Sequence, residues 1–217
     1  MSRESDQSGA GRFVSRAGEK LSAALDAFRV GVAGCVCADF GCNVGGFTDC
    51  LLKRGAAKVY ALDTGYGALA WRLRTSDRVV VMERTNALRA PPPEPVDVVT
   101  IDVAWTPQER IVPAAMRWLA GRGGEGGSPA GPRCIVSLLK PHYELAKLRR
   151  RARPGRRAPL SDAEAADVCR TVCLRLAEIG CPPRAAMVSP LRGKGGNAEF
   201  LLHFGRQSSV DASPGTK

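Results

Sequence analysis

The sequence predicts a doubly wound, Rossmann-like α/β fold: a mostly parallel sheet with helices on both faces and an antiparallel hairpin at one edge. Three observations predict it. Short apolar runs at 35–38, 59–62, 78–82, 96–101, 134–139, 184–188 and 198–204 alternate with helix-period segments through most of the chain. Several of these runs are too continuously apolar for a strand with one face in water. The last two follow one another through a tight turn, so they pair as an antiparallel hairpin. At 217 residues the chain is expected to be one domain spanning 13–204, with a disordered arm at 1–12 and a loose tail at 205–217.

Taken in order, the first helix starts near Ser15, with Leu21, Ala24, Leu25 and Phe28 on one face. Lys20 lies off that stripe and reads locally as a solvated lysine. The run at 35–38 leads into Asp39-Phe40-Gly41-Cys42-Asn43-Val44-Gly45-Gly46-Phe47-Thr48, a glycine-rich turn opening a helix that stops at Gly55. Such a turn lets a ligand lie against bare backbone at the carboxyl edge of a sheet. The spacing Gly41-x-x-x-Gly45-Gly46 is not that of a dinucleotide fingerprint, and Asp39 would repel a pyrophosphate. A carboxylate suits a cationic ligand, and S-adenosylmethionine carries an ammonium and a sulfonium beside an adenosine. Asp63 closes the next strand, where an acid hydrogen-bonds ribose hydroxyls. A nucleotide site and a merely structural turn stay open as alternatives.

A short helical pattern follows Gly65-Tyr66-Gly67. The strand at 78–82 closes on Glu83-Arg84-Thr85-Asn86, either an adenine-binding segment or a surface turn. After a proline-rich linker, the strand at 96–101 ends at Asp102. Thr106-Pro107-Gln108-Glu109 has the form of a capping box with proline at the first helical position, opening a helix to about Leu119. The strand at 134–139 delivers Lys140 directly, and a lysine at the end of a buried strand wants a partner. Between Lys147 and Arg157 stand seven cations, Lys147, Arg149, Arg150, Arg151, Arg153, Arg156 and Arg157, a density suited to phosphate contacts. Ser161-Asp162-Ala163-Glu164 is a second capping box. If the final strand runs against its neighbours, its beginning lies at their carboxyl ends, which brings Glu199 to the edge that carries Asp102 and Lys140.

Lys and Arg number 32 against 21 Asp and Glu, a net charge of +11, so a polyanion such as RNA is the first partner to consider. The eight cysteines include no C-x-x-C pair and fall largely in apolar runs, which reads as reduced core thiols rather than a disulfide scaffold or a metal site. No apolar stretch has the length of a signal core or a membrane span, so the expectation is a cytoplasmic protein without membrane attachment.

Several segments, in order, resemble the TlyA-type (haemolysin A-like) ribosomal RNA 2′-O-methyltransferases, which share the FtsJ-like fold. They are Val14-Ser15-Arg16-Ala17-Gly18-Glu19-Lys20-Leu21, the turn through Gly45-Gly46-Phe47-Thr48-Asp49, Tyr60 through Gly67, Glu83-Arg84-Thr85-Asn86, Ile101-Asp102-Val103, Leu139-Lys140-Pro141 and Ser189-Pro190 onward to Leu201. The resemblance implies a Lys-Asp-Lys-Glu tetrad on Lys20, Asp102, Lys140 and Glu199, and lifts Lys20 from its bland reading. It also implies that S-adenosylmethionine is held around Asp39, Gly41, Gly45, Gly46 and Phe47, with Asp63, Glu83, Asn86 and Asp102. Three departures accompany it. The match begins within about fifteen residues of Met1, leaving no room for the family's small S4-type RNA-binding domain, a role the Lys147 to Arg157 segment would take over. Trp105 stands where the family usually has phenylalanine after a serine, and His142-Tyr143 replaces glutamine-phenylalanine.

Methyl transfer to a ribose hydroxyl is an in-line displacement, so the main task is to hold oxygen and methyl carbon at roughly 3–3.5 Å with water excluded. The hydroxyl proton must also leave, and a lysine takes it only when neutral, a form favoured by burial and a like-charged neighbour. Lys140, with Lys20 nearby, is cast as the base or as the group steering the 2′-oxygen. Asp102 orients the lysines, and Glu199 pairs with one of them. The competing expectations are a methyltransferase acting on a small molecule or protein, and a non-catalytic RNA-binding or cytolytic protein.

Overall fold

The computed structural model describes residues 12–119, 132–148, 159–193 and 195–205. Among the described residues seven strands form one sheet: β1 (Val36–Phe40), β2 (Lys58–Leu62), β3 (Val79–Met82), β4 (Val98–Ile101), β5 (Cys134–Leu139), β6 (Ala185–Val188) and β7 (Phe200–Gly205). Their order is β3-β2-β1-β4-β5-β7-β6, parallel from β3 to β5, with β7 antiparallel to both β5 and β6. The chain leaves β1 toward β2 on one side and returns to β4 on the other, so the carboxyl ends of β1 and β4 flank the switch point where α/β sheets bind ligands.

Helices cover both faces. On one, α1 (Ala17–Ala27), α2 (Gly46–Lys53) and α3 (Trp71–Arg74) bury Leu21, Leu25, Leu51 and Leu73 against Cys37, Val98, Val136, Leu138 and Leu201. On the other, α4 (Gln108–Leu119), α5 (Pro141–Leu148) and α6 (Asp162–Glu178) bury Ile111, Trp118, Val172 and Leu176 against Phe40, Ile101, Ile135, Leu139 and Phe200. Side chains alternate faces along a strand. Because Ile101, Leu139 and Phe200 all face the α4–α6 layer, strand alternation turns the adjoining Asp102, Lys140 and Glu199 toward the α1 face.

The elements follow the sequence expectation with three differences. The helix α5 was not foreseen: it starts at Pro141, where a missing N–H costs nothing, immediately after the strand end. The helix α4 begins at Gln108, one residue later than its proline suggested. Strands β6 and β7 are joined by residues 189–199 rather than by a tight turn, and β7 lies between β5 and the edge strand β6. All eight cysteines are free thiols, six of them buried. The N-terminal arm, the C-terminal tail and Arg149, Arg150, Arg151, Arg153, Arg156 and Arg157 lie outside the described residues.

Candidate active site

Lys140 Nζ sits 2.5 Å from Asp102 Oδ1, and Lys20 Nζ donates to Glu199 Oε2 at 2.5 Å. The two ion pairs are neighbours by strand register. Leu139 pairs with Phe200 across the antiparallel β5/β7 ladder, so Lys140 and Glu199 flank one paired position, while β4 runs beside β5 and ends at Asp102. Glu199 is only 4 % exposed and Lys20 12 %, against 17 % and 20 % for Lys140 and Asp102, so the pair on α1 is the deeper and the Asp102–Lys140 pair the more open to a ligand. Gly193 makes room for the deeper pair: a Cβ there would lie 2.1 Å from Glu199 Oε1.

Lys20 reaches this edge because α1 packs unusually close to the start of α2. A Cβ on Gly46 would fall 2.2 Å from Ser15 Oγ and 2.9 Å from Ala17 Cβ, and one on Gly18 2.8 Å from Gly46 O. Asp49 on α2 fastens the entry to α1, accepting from Val14 N at 2.9 Å and from Arg72 Nη2 at 2.7 Å. The turn glycines therefore answer packing demands as much as ligand approach. Gly45, in the left-handed region at φ 101°, turns its missing side chain toward Leu69 and Leu73 of the α3 segment, and Gly41, at φ 84°, toward the Asp102 carbonyl.

Two residues expected at the ligand turn out to face inward. Asp39 is fully buried, and its carboxylate accepts from Thr48 Oγ1 at 2.7 Å and Thr100 Oγ1 at 3.0 Å. Strand alternation points it at α2, so it ties the turn to β4 instead of lining the crevice. Burial pushes its carboxyl up to about 7. The Phe47 side chain is likewise in the core under α1. The residues left to face a ligand are acidic. Asp63 accepts from Asn43 N at 2.9 Å and Gly65 N at 2.7 Å, locking the β1 and β2 loops together while staying partly exposed. Glu83 accepts from Gly67 N at 2.7 Å and from Arg74, whose guanidinium holds the carboxyl below its ordinary range. Asn86 is exposed, with Oδ1 accepting from Leu88 N at 3.0 Å. An acidic rim formed by Asp63, Glu83 and Asp102 at the ends of β2, β3 and β4 fits a cationic ligand that bears a ribose.

Lys147 also departs from expectation. Its ammonium turns inward, donating to Ala104 O at 3.5 Å with Glu144 Oε1 3.9 Å away, and burial lowers its proton affinity. Trp105 is 55 % exposed and meets Tyr143 edge-on with ring centroids 4.8 Å apart, an aromatic surface three residues beyond each of Asp102 and Lys140. Sequence reasoning assigned no role to Glu144 and Gly193, which carry no motif of their own, and read Gln108 only as part of a helix cap. A recess of 410 Å³ between α4 and α6, lined by Leu174 and Ile179 among others, contains none of these residues.

A family model for FtsJ-like methyltransferases matches residues 13–206. The chain is 40 % identical over 200 residues to the 16S/23S rRNA (cytidine-2′-O)-methyltransferase TlyA of Mycobacterium tuberculosis, covering 90 % of this chain and 69 % of that protein. A solved structure assigned as a hemolysin of Streptococcus thermophilus superposes with a TM-score of 0.74 at 31 % identity, covering 95 % of this chain and 73 % of the other. The N-methyltransferase NodS of Bradyrhizobium japonicum, solved with S-adenosyl-L-homocysteine, shares the fold at a TM-score of 0.55 and 15 % identity, over 88 % of this chain and 85 % of its own.

Proposed function

The chain belongs to the FtsJ-like methyltransferase family, and from that premise we propose that it transfers the methyl group of S-adenosylmethionine to a ribose 2′-hydroxyl of ribosomal RNA. The observation that carries the reading is the meeting of Asp102 with Lys140 and of Lys20 with Glu199 at one sheet edge, beside the acidic rim. S-adenosylmethionine, when bound, supplies an electrophilic methyl on a sulfonium. Asp63 and Glu83 would hold its adenosine end, and Asp102 would face its cationic centre.

In this reading the chain's own groups position the nucleophile and handle one proton. Lys140 orients the 2′-oxygen and, as the neutral amine, receives its proton as the carbon–oxygen bond forms and the bond between methyl and sulfur breaks. Asp102 stabilises the Lys140 ammonium that results, and Glu199 anchors Lys20 as the neighbouring positive charge. Holding the reactants in line supplies most of the acceleration. The 2′-hydroxyl is also the group that separates RNA from DNA, so selectivity and chemistry share one atom. The exposed Trp105 offers a face on which an unstacked base can lie.

The test is incubation with labelled S-adenosylmethionine and ribosomal RNA or ribosomal subunits, followed by alkaline hydrolysis. A 2′-O-methyl group yields an alkali-resistant dinucleotide carrying the label, whereas label on protein or small metabolites overturns the reading. Lys140→Ala should abolish transfer while leaving S-adenosylhomocysteine binding intact by calorimetry. An unchanged rate in that variant removes Lys140 from its role.

A further inference from the structure

The β4–α4 loop that follows Asp102 is fastened along its length by α5, the helix that follows Lys140. Glu144 on α5 is buried, and its Oε1 accepts the backbone N–H of Gln108, the first residue of α4, at 3.1 Å. That N–H lies in the first turn of a helix, where no intrahelical acceptor exists, so a carboxylate there satisfies an orphan donor and faces the positive end of the helix dipole. Gln108 carries the link inward: its Nε2 donates to Leu138 O at 3.3 Å and its Oε1 accepts from Ser137 Oγ at 2.7 Å, both on the strand that ends at Lys140. One turn further along α5, Lys147 donates to Ala104 O at 3.5 Å, and Tyr143 supports Trp105.

We propose that Glu144 is a positioning residue for methyl transfer: through the Gln108 amide and Lys147 it fixes the β4–α4 loop against α5, and so sets Asp102 relative to Lys140. This rests on the reading of Asp102 and Lys140 given above. A buried carboxylate is costly unless its hydrogen bonds are satisfied, and an apolar side chain of similar volume would fill the space more cheaply. Such a side chain would leave the Gln108 N–H without an acceptor and the loop free to shift. In-line transfer tolerates little shift, since a displacement of about 1 Å costs on the order of 100-fold in rate.

The experiment is steady-state methyl transfer to ribosomal RNA by the full chain, with fold and Tm followed by circular dichroism. Glu144→Ala should lower kcat at least about 10-fold while KM for RNA and Kd for S-adenosylhomocysteine stay within about two-fold of the parent. Glu144→Gln keeps an acceptor oxygen for the Gln108 amide and should recover kcat to within about three-fold. A folded Glu144→Ala with parental kcat, or one in which kcat and both affinities fall together, overturns the inference. Should Glu144→Ala fail to fold, Glu144→Asp decides: it keeps the charge but withdraws the carboxylate from Gln108, and a parental kcat there overturns the proposal. A parent that methylates no RNA sinks the proposed function and this inference together, whereas an active parent matched by Glu144→Ala sinks this inference alone.

Discussion

Asp39 illustrates how a single carboxyl can serve the site without touching a ligand. It is fully buried, pairs in register with Thr100 on β4, and receives the Thr48 hydroxyl from α2, so it joins the turn and the strand that delivers Asp102. Desolvation raises it to about 7, against two hydroxyl donors that favour the charged form. Its unfolded value is about 3.9, so between those two values the native state holds a proton that the unfolded chain has released. Stability contributed by this group is therefore largest at acid pH and declines as pH rises through about 4 to 7. Asp39→Asn stays neutral throughout, so the stability of the parent minus that of the variant should fall by up to about 4 kcal/mol between pH 4 and pH 8. Urea unfolding of both proteins across that range measures it, and a flat difference would mean that the carboxyl ionises in the folded protein as it does in the unfolded chain.

Among the elements, α1 behaves as a lever whose seat is two glycines. Gly46→Ala places a methyl 2.2 Å from Ser15 Oγ, next to Ala17, so α1 must move outward and carry Lys20 with it. We expect a loss of about 1–3 kcal/mol of stability from the overpacking, together with a fall in single-turnover methyl transfer larger than the unfolded fraction explains. Parental stability with full activity would show that the α1–α2 contact is pliable. This contact also marks where the sequence ceases to be readable. Strand β5 was predicted residue for residue because a run of six residues interrupted only by Ser137 in its apolar character has few alternatives, and α6 because Ser161 and Glu164 form a reciprocal cap. Asp102 and Lys140 stand out as charges directly ending buried strands, and Glu199 follows once the last strand is reversed. Lys20 does not, because its place depends on a close approach between two helices that only the resemblance signalled. Helix α5 was hidden by running straight from a strand end into a basic segment, and with it went Glu144 and the inward turn of Lys147.

At the scale of the whole molecule, the charge is divided by task. The net charge is +11, yet the ends of β2, β3 and β4 present the carboxylates Asp63, Glu83 and Asp102 to a cationic methyl donor, the last two balanced by Arg74 and Lys140, within a protein suited to a polyanion. Since Lys147 is engaged inside, we propose that phosphate contacts from the basic segment are made by the arginines beyond it. Each phosphate neutralised releases condensed counterions, so log K for RNA should fall with log salt by about 0.7–0.9 per contact. Replacing Arg149, Arg150 and Arg151 by Gln should therefore reduce that slope by about 2 and weaken binding most at low salt. If these arginines capture RNA rather than take part in the chemistry, kcat at saturating RNA should be retained while KM rises. Filter binding across a salt series, paired with saturation kinetics, separates the two effects. An unaltered slope would place the RNA contacts elsewhere on the chain, and a kcat that drops with unchanged KM would tie the segment to the chemistry instead of to capture.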